Sequence, residues 1–156
     1  MNYNRQDALS YANKWALSRN PNYYDFSSLG GDCTNFCSQC LFAGAKVMNY
    51  TNTFGWYYVS ASNRAPAWTG VQEFYNFLTA NDDKGPYGKK AEFSEIEVGD
   101  FIQLGNAQNF YHTLFVCGFQ ENTPIVCSHS YDRLNAPLTD YYYERLRFIK
   151  ILGVRN

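Results

Sequence analysis

The segment Gly30-Gly31-Asp32-Cys33-Thr34-Asn35-Phe36 carries the chain's sharpest chemical pattern. Two glycines open backbone conformations closed to other residues and allow a tight approach into a helix. Asp32 stands where an N-cap belongs, so Cys33 falls in the first helical turn. There the unpaired N–H groups and the helix dipole favour an anion, and a thiolate is stabilised. The same N–H groups suit the oxyanion of acyl transfer. A thiol nucleophile also needs a base to take its proton. The chain has two histidines, His112 and His129. Both fall in predicted strands of the second half. Adjacent antiparallel strands would bring the two imidazoles together, one as base and the other orienting it.

The remaining cysteines read differently. Cys37, Cys40, Cys117 and Cys127 have the look of small core residues. Five Cys cannot all pair, and they are not spaced as a framework of staples. Free thiols and a reducing compartment are therefore expected. Cys33-x3-Cys37-x2-Cys40 shares its spacing with the iron–sulfur motif of radical enzymes that use S-adenosylmethionine. Those enzymes hold the motif in a barrel loop and need more chain than 156 residues. A zinc site of three Cys and a His would lack paired Cys-x2-Cys knuckles. Neither metal nor cofactor is expected.

The elements that must position these groups follow from periodicity. Ala8, Tyr11, Ala12, Trp15 and Ala16 recur at helical spacing, which predicts a helix from Arg5 to about Arg19, stopped by Asn20-Pro21-Asn22. A second helix runs from Cys33 to about Ala43, with Gly44 as its stop and Phe36, Cys37, Cys40 and Leu41 as its apolar stripe. Thr34, Asn35, Ser38 and Gln39 lie off that stripe. A third helix spans about Thr69 to Ala80. Asn81 to Phe93 is rich in charge and breakers and reads as a flexible link. Gly99-Asp100 is a turn. Strands are predicted at Phe101–Leu104, Tyr111–Phe119, Pro124–Ser130 and Arg145–Val154, with His112, Leu114 and Val116 on one face. Helices followed by strands indicate an α+β fold with an antiparallel sheet, one domain over 1–156.

Composition sets the outer limits. Thirteen basic and 14 acidic residues leave a net charge of −1, which gives no electrostatic reason to expect nucleic acid as partner. No apolar run is long enough to span a membrane, and Met1 to Asp7 has no apolar signal-peptide core. The chain is expected to act as a monomer. Fourteen Tyr, 12 Phe and 3 Trp make it unusually aromatic. Phe36, Phe74, Phe77 and Phe148 sit on core periods. Tyr23, Tyr24, Trp56, Tyr57, Tyr58 and Trp68 cluster in loops near the Cys33 segment, where rings can line a cleft for a peptide.

These residues resemble a known family. Asp32-Cys33-Thr34-Asn35-Phe36 is similar to the start of the catalytic helix in NlpC-type cell-wall peptidases. More closely, the chain resembles the related putative amidase domain family. The marks are Tyr3-Asn4-Arg5, Tyr11-Ala12, Asn20-Pro21-Asn22-Tyr23, Gly30 to Gln39, Trp56-Tyr57, Trp68, Gly99 to Gln103, Tyr111-His112-Thr113 and Ser128-His129-Ser130-Tyr131-Asp132. The resemblance implies a papain-like fold and a cysteine-dependent amide hydrolase with Cys33 as nucleophile, His112 as base and His129 as third residue. Asp132 or Asn135 are alternatives for that third place. Tyr23, Tyr24, Trp56 and Trp68 are the expected substrate-binding residues. A peptide or peptidoglycan stem peptide is the substrate implied. A deamidase, an acyl transferase or toxin acting on a protein, or a non-catalytic binding module are the rival classes.

Overall fold

A computed structural model describes residues 2–156. In chain order the elements are helices α1 (Arg5–Trp15) and α2 (Cys33–Ala45), short strands β1 (Tyr58–Ser60) and β2 (Asn63–Arg64), helices α3 (Pro66–Thr69) and α4 (Val71–Ala80), then strands β3 (Gly85–Ala91), β4 (Phe101–Gly105), β5 (Phe110–Gln120), β6 (Thr123–Ser128), β7 (Arg133–Pro137) and β8 (Arg145–Arg155). The last six strands form one antiparallel sheet in the order β3-β8-β4-β5-β6-β7. The architecture is α+β. Among the described residues no helix is long and apolar enough to cross a membrane.

Strand alternation splits the core in two. Phe101, Phe115, Cys117, Cys127, Ile149 and Ile151 face the helices and pack on Ala8, Ala12, Phe36, Cys37, Cys40, Leu41, Phe74 and Leu78. Ile102, Leu104, Leu114, Val116 and Val126 face the other way and are covered by Ile96, Leu138 and Tyr141. The helices thus lie on one face of the sheet, with α2 against β5.

The helical spacings were legible, with shifted ends. α1 stops at Trp15 rather than near Arg19, capped at its start by Asn4 Oδ1, which accepts from Asp7 N at 3.0 Å. α2 runs to Ala45, and Lys46 takes the left-handed terminal conformation (φ 62°). Gly44 therefore does not stop the helix. It lets α1's lead-in pass close by: a Cβ there would lie 2.5 Å from both the Asn4 carbonyl oxygen and the Tyr3 ring. Asn81 to Phe93 is not a flexible link, because its centre is β3, paired with β8 along Gly85 to Ala91. Strand β7 carried too few β-formers to be read from sequence.

One polar anchor, Arg5, fixes α1 to the sheet. Arg5 donates to Asp100 Oδ1 (2.8 Å), the Val98 carbonyl (2.9 Å) and the Ile151 carbonyl (2.8 Å). Asp100, fully buried, also accepts from the Ile151 and Glu97 amides. It sits in a turn, as its Gly-Asp signal indicates, and it is also a buried ion-pair partner.

Cys117 and Cys127 are joined across β5 and β6 as a disulfide, with Cα atoms 6.3 Å apart. This corrects the expectation of free core thiols. The two positions lie ten apart in sequence and on neighbouring strands, a proximity that spacing alone did not reveal. Cys33, Cys37 and Cys40 are free and buried.

Candidate active site

The approach to Cys33 is a sharp turn. Gly30 (φ 87°) and Gly31 (φ 103°) both use the left-handed region, so side chains there would be strained. Asp32 follows as N-cap by position, but its side chain makes no capping bond. Its Oδ1 instead accepts from Phe26 N (2.8 Å) and Asn35 Nδ2 (2.9 Å), and its Oδ2 lies 2.5 Å from His129 Nδ1. Ser130 Oγ accepts from the Asp32 amide at 3.1 Å. Asp32 therefore ties the Cys33 helix to two other segments, a role its cap-like position concealed.

Cys33 is the first residue of α2, 8% exposed. Its sulfur lies 3.8 Å from Thr34 Oγ1. Burial pushes the thiol above its ordinary range. Hydrogen bonding from the Thr113 backbone and from Thr34 acts in the opposite direction, and the Asp32 charge adds to the rise. The β5–β6 ladder begins at Phe115 and Cys127, so β5 runs on past it through Thr113 and His112. The start of α2 abuts that stretch: Thr34 and Thr113 join their hydroxyls at 2.9 Å. Gln103 Nε2 donates to the same Thr113 hydroxyl (3.1 Å) and to the Val71 carbonyl (2.9 Å).

The two histidines part company. Thr113 faces α2, so alternation sends the half-buried His112 ring to the other face of β5. There its centroid is 5.8 Å from that of Tyr141. Burial, with the nearby Arg133 charge, lowers its pKa to about 4. Among the described residues neither ring nitrogen has a hydrogen-bond partner. His129 stands on the helix face, 1% exposed and stacked on Phe36 at 4.1 Å. Its Nδ1 meets Asp32, and its Nε2 meets the Trp15 carbonyl (2.8 Å) and Arg19 Nη1 (3.2 Å). His112 lies on β5 with its ring away from the helices, whereas β6 ends at Ser128 and His129 stands in the turn after it on the helix side, so the expected His–His contact does not form. Asp132, weighed as an alternative third residue, is paired bidentately with Arg19. Asn135 is exposed on β7 with φ 54°.

The aromatic residues also divide. Trp56 and Trp68 are fully buried, with ring centroids 4.7 Å apart. They pack the core and present no surface to a substrate, which corrects their assignment to a cleft. Their indoles donate to Ser38 Oγ and Asn35 Oδ1, both at 3.0 Å. Thr34, Asn35, Ser38 and Gln39, off the apolar stripe, are thus buried and bonded rather than solvated. Tyr23 is half-buried, stacked on Trp68 at 6.0 Å. Tyr24 is exposed; its carbonyl accepts from Asn35 Nδ2 at 2.9 Å. A cleft of about 650 Å3 lies elsewhere, between α4 and the 49–55 loop, lined by Asn49, Phe54, Glu73 and Phe77 among others, and contains none of Cys33, His112 and His129.

Sequence reasoning missed Arg19. It follows α1, and its guanidinium reaches Asp25, Asp32 and Asp132. Its partner Asp132 is more than a hundred residues away, beyond any spacing rule. The Asp placed directly before Cys33 was the one usable signal.

The family model described as "Putative amidase domain" matches residues 2–151. The uncharacterized protein YhbB of Bacillus subtilis (strain 168) is 31% identical over 135 residues, covering 83% of this chain and 42% of that protein. The uncharacterized protein YjcM of the same organism is 28% identical over 145 residues, covering 86% of this chain and 32% of that protein. The chain thus spans less than half the length of these curated relatives. No solved structure matches.

Proposed function

Because the chain belongs to the putative amidase domain family, we propose that it hydrolyses amide bonds with Cys33 as nucleophile and His112 as base. The observation that carries this reading is one of place. The Cys33 thiol sits at a helix start, against the backbone of Thr113. The residue before Thr113 on β5 is His112, whose imidazole nitrogens have no hydrogen-bond partner among the described residues. The thiol, raised by burial, and the imidazole, lowered by burial, both rest uncharged on opposite sides of β5, so the ring must turn toward the sulfur for the reaction. The proton passes to His112 as sulfur attacks the carbonyl carbon, and the Cys33 N–H holds the oxyanion. His112 then protonates the leaving amine, and water releases the acyl group from sulfur.

A helix bearing the thiol and packed on an antiparallel sheet supports a papain-like arrangement of the NlpC type. The Asp-Cys start of α2 supports peptidoglycan stem peptides as substrate. His129 takes the role of holding Asp32 rather than orienting His112. The test is to incubate wild type and Cys33→Ala with purified peptidoglycan and with a panel of peptide amides, measuring released amines. Release by wild type alone is expected. Equal release from both proteins sinks the nucleophile; cleavage of the amides without the wall polymer removes only the wall substrate.

A further inference from the structure

We infer that Arg19 is a positioning residue for the Cys33 thiol, holding the start of α2 through one guanidinium that cross-links three acidic segments. The inference rests on the reading of Cys33 as nucleophile. Arg19 Nη1 and Nη2 grip Asp132 at 2.8 and 3.0 Å as a two-pronged fork. Its Nε lies 3.2 Å from Asp25 and 3.6 Å from the fully buried Asp32. Nη2 also donates to Ser27 Oγ at 3.1 Å. Asp25 and Ser27 belong to the loop before Gly30. Asp132 closes the corner after β6, where Ser130 and Tyr131 both hold left-handed backbone (φ 65° and 64°). That corner supplies Ser130 Oγ to the Asp32 amide. Asp32 is bonded to Cys33 through the chain, so each of the three links converges on the thiol.

The charges make the arrangement consequential. Asp25, Asp32 and Asp132 surround Arg19, and His129 faces both Arg19 and Asp32. Remove the guanidinium and the Asp32 carboxylate loses a cation on the residue next to the thiol. A less compensated anion there disfavours a thiolate. A planar fork also meets Asp132 and Asp32 together, which an ammonium on a flexible stem cannot do.

The test is the pH profile of iodoacetamide alkylation at Cys33, read by mass spectrometry of its peptide, with circular dichroism and Tm as fold controls. In folded Arg19→Gln the midpoint is expected to rise, with alkylation at pH 8 about tenfold slower, the equivalent of one pKa unit. Arg19→Lys is expected to restore part of the loss. A profile that coincides with wild type overturns the inference. So does uniformly faster alkylation, which would make Arg19 only a plug over the thiol. If Arg19→Gln fails to fold, the charge-balanced Arg19→Gln with Asp132→Asn carries the same test, since Asp32 still loses its cation. Wild-type Cys33 that stays unreactive up to pH 10 overturns the nucleophile reading itself, whereas a reactive wild type with an unchanged variant overturns this inference alone.

Discussion

His112 is the residue whose environment makes the most direct predictions. Its folded pKa of about 4 lies below the ordinary 6.5. The unfolded chain therefore binds more protons between those values, so stability falls as pH drops from about 6.5 towards 4. His112→Gln is expected to flatten that slope in urea titrations run across the range. If His112 is the base, kcat/KM for amide hydrolysis falls along an acid limb near pH 4, and Arg133→Gln moves the limb upward by removing a repelling cation. A limb unmoved in that variant would separate His112 from the base. At this scale residue types were informative: although His129 proved to lie just past the end of β6, a Cys after Gly-Gly-Asp and a histidine in the β5 strand were visible at once. Which face each ring takes was not, because it depends on the half-turn between Thr113, which meets α2, and its neighbour.

The element that organises the site is α2, and its burial on every side was the least legible feature. An apolar stripe of Phe36, Cys37, Cys40 and Leu41 left Thr34, Asn35, Ser38 and Gln39 outside it, with no partner assigned to any of them. In the fold each of those four polar groups has a partner from another element. Trp68→Phe keeps the packing but strips the donor from the buried Asn35 carbonyl. It is expected to cost about 1–3 kcal/mol, measured as a lower urea midpoint. Gly44→Ala forces a Cβ to within 2.5 Å of the Asn4 carbonyl oxygen. That backbone contact cannot rotate away, so a loss of about 1–3 kcal/mol is expected from the same measurement. A lone periodicity identifies the face that meets the main core, but it is blind to polar groups buried against loops.

Across the whole molecule, the disulfide and the sheet order set the remaining properties. Cys117 and Cys127 close a loop of ten residues, for which chain-entropy arguments give about 3 kcal/mol. A Cys117→Ala/Cys127→Ala variant is expected to melt several degrees lower, and reduction of the wild type should lower its Tm by a similar amount. A reduced protein with unchanged Tm would remove the cross-link from the stability account. By itself the sequence determined the helix starts, the main strands, the Cys33 segment and the family, because those are written in local periodicity, turn chemistry and short motifs. Only the tertiary structure decided that Trp56 and Trp68 are core, that β3 completes the sheet, that Cys117 meets Cys127, and that Arg19 and His129 converge on Asp32. Those outcomes depend on which segments meet across long separations and on which face of the sheet receives the helices, and no spacing along the chain encodes either.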